Sequence, residues 1–159
     1  MRPSIDDYFM EMAKLVATRS TCARRKVGAV LVNHRNHVLA TGYNGPPSGF
    51  PHCIEKPCAG AYLPSGTGLD ECKAIHAETN ALLQCHDVHA IKTLYCTASP
   101  CVHCVKLMLN TSCERIIFAE EYPHSNSQLF WQEVQHRNFS GKMQTRGWVH
   151  WRLNTENNA

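Results

Sequence analysis

The 159-residue sequence lacks any apolar run of the about 18 residues that a membrane-spanning helix needs. Its N-terminus also lacks the uninterrupted apolar segment of a signal peptide, so the expectation is a cytoplasmic protein. Charge is sparse: Asp, Glu, Lys and Arg make up 18% of the chain, and the formal net charge is only +3. A balance this weak argues against a nucleic-acid-binding surface and suits a small anionic ligand. No internal repeat is visible, and the chain is too short for two ordinary domains. Residues 1–153 are therefore expected to form a single domain, and residues 154–159 a polar, disordered tail.

Cysteine, by contrast, is abundant. Nine cysteines without a signal peptide point to thiols and metal rather than to a disulfide framework, and the odd count leaves at least one unpaired.

Ser4, with Asp7 three positions on, makes a helix-start signal of the capping-box type. Ile5, Phe9, Met12, Ala13 and Val16 recur at helical spacing and predict a helix over 5–19. Val27-Gly28-Ala29-Val30-Leu31-Val32 predicts a buried strand, which a turn at 34–36 returns as a second strand over 37–43. Residues 44–72 are irregular and rich in Gly, Pro and Cys; a stretch of that length in a small domain is functional or held by something. The pattern then predicts a helix over 75–84, a strand over 93–97, a helix over 100–110 and a strand over 115–119. A helix over 126–136, with Leu129, Phe130 and Val134 on its apolar side, and a last strand within 143–151 complete the order. Such an order implies a mixed sheet with helices on both faces.

His76-Ala77-Glu78 and Pro100-Cys101-Val102-His103-Cys104 together spell H-x-E…P-C-x-x-C, the pattern of zinc nucleobase deaminases. It offers three metal ligands, His76, Cys101 and Cys104, and one carboxylate, Glu78, that is not a ligand. A C-x-x-C at a helix start lets both sulfurs face one point beyond the first turn. Pro100 fits that turn, which needs no N–H from it, and the positive helix end favours thiolate. His76 and Glu78 are two apart and converge only near a helix start, so the spacing predicts two helix N-termini aimed at one zinc. Zinc held by two thiolates and a neutral imidazole is a weak Lewis acid, and its water needs Glu78 as a base. The same carboxyl can protonate a ring nitrogen and pass a proton to departing ammonia, which is hydrolytic deamination of an amino-pyrimidine or amino-purine. The alternative is a structural zinc whose fourth ligand is another Cys or His, with Glu78 on the surface. His103, between the two cysteines, is expected to face solvent.

Residues 5–123 resemble the deoxycytidylate (dCMP) deaminase family. The resemblance is carried by the zinc motifs, Arg25-Lys26-Val27-Gly28-Ala29-Val30, Thr41-Gly42-Tyr43-Asn44-Gly45-Pro46-Pro47-Ser48-Gly49, Pro51-His52-Cys53, the run from His76 to Ala81, and Tyr122. It implies an α/β fold, a three-layer α/β/α sandwich on a mixed five-stranded sheet of the cytidine deaminase-like type. It implies conversion of dCMP to dUMP for dTTP synthesis in a homohexamer, activated by dCTP and inhibited by dTTP, the effector bound with Mg²⁺. His76, Cys101 and Cys104 then match the zinc ligands and Glu78 the proton shuttle. Tyr122 matches a substrate contact, and Gly28, Gly42, Tyr43, Asn44 and Gly45 match the effector element. A plain strand-ending turn accounts for the same Asn-Gly-Pro-Pro stretch.

The substrate phosphate calls for cations. Arg19, Arg24, Arg25 and Lys26 cluster near the end of the first predicted helix, with Arg24 the leading phosphate clamp and a solvated basic patch the alternative. Ala77 and Ser99 complete the candidate substrate set. Cys22, Cys53, Cys58 and Cys72 lie outside the catalytic motif and are candidates for a second, structural Zn²⁺, with His52 as a substitute ligand, or for free buried thiols. Cys85, Cys96 and Cys113 read as ordinary residues. Trp131, Trp148 and Trp151 are expected to pack onto the core rather than stack on bases. Three other readings share the zinc motif: a tRNA adenosine deaminase, a free-base deaminase, and a zinc-stabilised binding module without catalysis. The polar tail at 154–159 lacks the basic element a tRNA enzyme is expected to carry.

Overall fold

The computed structural model describes residues 1–64, 72–122 and 126–152; the expected tail at 154–159 lies outside them, as does part of the irregular stretch. Helix α1 (Ile5–Ala17) starts as its sequence demands, the Ser4 hydroxyl accepting from the Asp7 amide at 3.1 Å. It buries Phe9, Met10, Ala13 and Ala17, whereas Ile5, expected on the apolar stripe, is the first helical residue and is 40% exposed. Strands β1 (Gly28–Asn33) and β2 (Val38–Tyr43) pair antiparallel as the expected hairpin. Helix α2 (Ala77–Gln84), strand β3 (Ile91–Ala98), helix α3 (Val102–Leu109) and strand β4 (Arg115–Glu120) follow. Helix α4 (Asn126–Gln132), a small hairpin of β5 (His136–Arg137) and β6 (Met143–Gln144), and strand β7 (Gly147–His150) close the order.

The main sheet has five strands in the order β2-β1-β3-β4-β7. The β1 pairings are antiparallel, and β3-β4 and β4-β7 are parallel, so the sheet is mixed. Helix α1 lies on one face; α2, α3 and α4 lie on the other. Alternation along β1 builds both layers at once. Val30 and Val32 join Phe9, Met10, Tyr95 and Ile117 beneath α1, and Ala29 and Leu31 join Ala81, Leu94, Met108 and Trp131 on the opposite face. A strand buried on both sides reads as the continuous apolar run seen in the sequence. The Asp6 carboxylate ties α1 to the sheet by accepting from the Tyr95 hydroxyl at 2.7 Å and from Arg115 Nη2 at 3.1 Å.

Three expectations are corrected. The helix expected over 126–136 stops at Gln132, and Leu129, Phe130 and Val134 are exposed while Trp131 is buried. The chain turns there because Trp131 enters the core and its Nε1 donates to the Gly147 carbonyl at 2.8 Å, which directs His136 into the small hairpin. The strand expected within 143–151 is split, residues 143–144 joining that hairpin and 147–150 the main sheet. Pro100 precedes α3 instead of opening it, because Cys101 is the N-cap. Trp148 packs on the core, and Trp151 packs against α1 with its Nε1 donating to Asp7 at 2.7 Å.

Candidate metal and substrate site

The parallel strands β3 and β4 end beside the start of β1, and the candidate site lies at that edge, where α/β sheets place ligands. His76 is the N-cap of α2 and Cys101 the N-cap of α3, so two positive helix ends point at one spot, as the spacing predicts. His76 Nδ1 is 3.4 Å from both Cys101 Sγ and Cys104 Sγ. Tetrahedral zinc with ordinary bond lengths sets a nitrogen and a sulfur about 3.6 Å apart, so the three side chains fit that ion as they stand. Among the described residues they are the one cluster of three such donors, all within 4.8 Å of one another. His103 points to solvent, as expected.

The electrostatics agree with a cation there. The Cys104 thiol beside Cys101 holds Cys101 down at about 3, and the same contact, with burial, drives Cys104 above the usual thiol range. Metal binding needs both sulfurs as thiolates, so a divalent ion held there would displace protons from this pair. The hydrogen bond to Cys101 raises His76 against the opposing effect of burial. The Thr79 hydroxyl lies 3.8 Å from Cys104 Sγ; nothing in the sequence pattern singled out this residue. Glu78 is 4% exposed, and burial pushes its carboxyl above the ordinary range.

His76, Glu78 and Cys101 line a cavity of about 130 Å³. Ala77 and Ser99 are on its wall, together with Arg24, Arg25, Asn44 and Tyr122. The structure therefore gathers the whole expected substrate set into the metal cavity. Ser99 ties Tyr122 to the end of β3: its hydroxyl accepts from the Tyr122 amide at 2.5 Å, and its own amide donates to the Glu120 carbonyl at 2.9 Å. Arg24 Nη2 donates to the Pro64 carbonyl. Arg25, which sequence reasoning ranked behind Arg24, stands over the Tyr122 ring at 5.0 Å and 3.4 Å from Glu120 Oε2. Arg19 and Lys26 are exposed and are not on this wall.

The five expected effector residues lie around the ends of β1 and β2. A Cβ on Gly28 would meet the Ala13 carbonyl at 2.1 Å, and one on Gly42 would meet the Ala77 carbonyl at 2.3 Å, so these glycines let α1 and α2 approach the sheet. Asn44 is 7% exposed, its Oδ1 accepting from Val27 N at 2.9 Å and its Nδ2 donating to the Arg25 carbonyl at 2.6 Å. Gly45 pairs with Ile75 through two backbone hydrogen bonds. Tyr43 is 39% exposed, and its carbonyl accepts from Asn80 at 2.8 Å.

Of the candidates for a second metal, Cys53 Sγ and Cys58 Sγ are 3.7 Å apart. The Lys73 backbone holds Cys58 below the usual thiol range, with Cys53 and Cys72 adding to the effect. Cys22 and Cys72 adjoin the metal cavity, and His52 is exposed, with Nδ1 3.9 Å from Glu55. None of the nine cysteines forms a disulfide. Cys96 and Cys113 are buried, and burial pushes Cys113 up to about 12.

Residues 3–120 match the family described as the cytidine and deoxycytidylate deaminase zinc-binding region. The deoxycytidylate deaminase of Schizosaccharomyces pombe is 41% identical over 145 residues, which cover 87% of this chain and 45% of that protein. The chain thus spans less than half the length of that relative. The deoxycytidylate deaminase of Mycobacterium phage D29 is 42% identical over 127 residues, 76% of this chain and 98% of its own. A crystal structure of the dCMP deaminase of cyanophage S-TIM5 in complex with dCMP and dUMP superposes with a TM-score of 0.69 at 27% identity, covering 95% of this chain and 99% of that one.

Proposed function

The chain belongs to the cytidine and deoxycytidylate deaminase family, and from that premise we propose that it is a zinc-dependent dCMP deaminase. It hydrolyses dCMP to dUMP and ammonia, supplying dUMP for dTTP synthesis. One observation carries the reading: His76, Cys101 and Cys104 converge beside buried Glu78 in a cavity that also holds Arg24, Arg25 and Tyr122. Metal chemistry and phosphate-binding chemistry share one cavity.

His76, Cys101 and Cys104 would hold zinc, whose Lewis acidity would lower the pKa of a bound water. Glu78 takes a proton from the attacking water, delivers it to the ring nitrogen N3, and passes a proton to the departing amino group. Water adds at C4 and the exocyclic amine leaves as ammonia, which balances the reaction. Ala77 and Ser99 shape the wall around the base. Tyr122 lies against it, and its backbone is fixed by the Ser99 hydroxyl. Arg24 and Arg25 receive the 5′-phosphate, for which guanidinium geometry is suited.

The same family reading extends to a cytoplasmic homohexamer regulated by dCTP and dTTP with Mg²⁺. Exposed Leu83 on α2 and Leu107 on α3 supply apolar surface of the kind an oligomer covers. Within the effector element, half-exposed Tyr43 offers a side chain to a nucleotide. A second zinc would draw on Cys53, Cys58 and Cys72, with Cys22 as fourth ligand, and the 3.7 Å approach of Cys53 to Cys58 supports it. Zinc content of two per chain checks that part, and one per chain removes it.

Ammonia release tests the substrate assignment with dCMP, deoxycytidine, cytosine and an adenosine-containing tRNA anticodon stem offered in parallel. Turnover of dCMP above the others is expected, raised by dCTP·Mg²⁺ and suppressed by dTTP·Mg²⁺. Turnover of the tRNA stem or of cytosine instead would discard the phosphate and effector assignments. Zinc bound without any turnover would leave a binding module.

A further inference from the structure

Ser20 follows α1, is 3% exposed, and is not among the residues lining the substrate cavity. Its hydroxyl donates to Asn44 at the end of β2, at 2.5 Å from Oδ1 and 2.9 Å from the backbone carbonyl oxygen, and accepts from the Cys22 amide at 3.2 Å. Asn44 passes the constraint on. Its Oδ1 accepts from Val27 N at 2.9 Å, its Nδ2 donates to the Arg25 carbonyl at 2.6 Å, and its carbonyl accepts from Thr21 N at 3.3 Å. Residues 20–27, which carry both arginines of the cavity, are therefore stitched to one asparagine near each end, and the Ser20 hydroxyl fixes that asparagine's side chain. Buried amides and hydroxyls joined this way specify one geometry.

We propose that Ser20 is a positioning residue for phosphate recognition: acting through Asn44, its hydroxyl sets the 20–27 loop so that Arg24 and Arg25 face the cavity. It touches neither substrate nor metal. A loop left to sample several arrangements must be ordered again at each binding event, which weakens ground-state binding without altering the groups that move protons. The inference rests on the dCMP reading, because a substrate without phosphate has no need of the arginines.

The test is Ser20→Ala, which removes one oxygen and adds no atom. For the zinc-loaded variant the expected result is a KM for dCMP raised about tenfold, the size of one lost buried hydrogen bond, with kcat within about twofold of the parent. Zinc content stays at the parent value, and hydrogen exchange quickens at the Cys22 and Val27 amides. An unchanged KM, or a parallel loss of kcat, zinc and folded protein, would overturn the proposal; the second outcome would make Ser20 merely structural. A parent enzyme inert towards dCMP but active on cytosine would instead overturn the functional reading, and this inference with it.

Discussion

Replacing Gly42 by Ala places a methyl carbon 2.3 Å from the Ala77 carbonyl oxygen and 2.4 Å from the Ala81 amide nitrogen. Ordinary contact begins at 3.4 Å, so about 1 Å must be found, and neither obstacle is a side chain that can swing aside. Both atoms are backbone of α2, whose N-cap is His76 and whose first turn carries Glu78. The helix must back away from β2 and take His76 and Glu78 with it. Overpacking costs about 1–3 kcal/mol, and rigid neighbours on both contacts put this case near the upper figure. For a domain of this size that lowers Tm by roughly 6–12 °C. A misplacement of about 1 Å in a catalytic array costs on the order of 100-fold in rate. Differential scanning calorimetry and ammonia release at saturating dCMP, with no dCTP or dTTP present, measure both effects. A Gly42→Ala protein with parental Tm and kcat that had lost only its response to dCTP or dTTP would refute the packing argument and make Gly42 an effector contact.

Cys101→Ser should lose the catalytic zinc and the activity together, measured by metal analysis and ammonia release on one preparation; retention of either alone would break the assigned ligand set. Arg25→Gln should raise the KM for dCMP about 10- to 100-fold, the range for a lost charge-assisted hydrogen bond, with the larger share of the change in KM rather than kcat. An Arg25→Gln enzyme with parental KM, beside an Arg24→Gln enzyme without it, would return the phosphate to Arg24 alone.

The geometry of the metal-ligand cluster was legible because it depends on spacing along the chain. His76 and Glu78 two apart, and Cys101 and Cys104 three apart, converge only if each set opens a helix, and both do. The layered fold was legible for the same reason: Val30 and Val32 face one side of β1 and Ala29 and Leu31 the other, so the strand had to be covered twice. What depended on partners distant in sequence was not legible. Gly28 and Gly42 are ambiguous until α1 and α2 are seen against them, and Asn44 looks like a free donor until Ser20, Arg25 and Val27 take up its polar atoms. Near the C-terminal end, Leu129, Phe130 and Val134 mimicked an apolar face, while the residue that enters the core is Trp131, anchored by a carbonyl sixteen positions away. Two-residue strands such as β5 and β6 leave too little periodicity to detect.

Ammonia release from dCMP by Glu78→Gln, with zinc quantified in the same sample, decides whether buried Glu78 moves protons for a zinc held by His76, Cys101 and Cys104. The substitution keeps the shape of the side chain and removes its basicity. One zinc at the His76, Cys101 and Cys104 site, with turnover reduced at least about 100-fold, is the predicted result. A zinc-loaded Glu78→Gln protein that releases ammonia at the parental rate would contradict the claim.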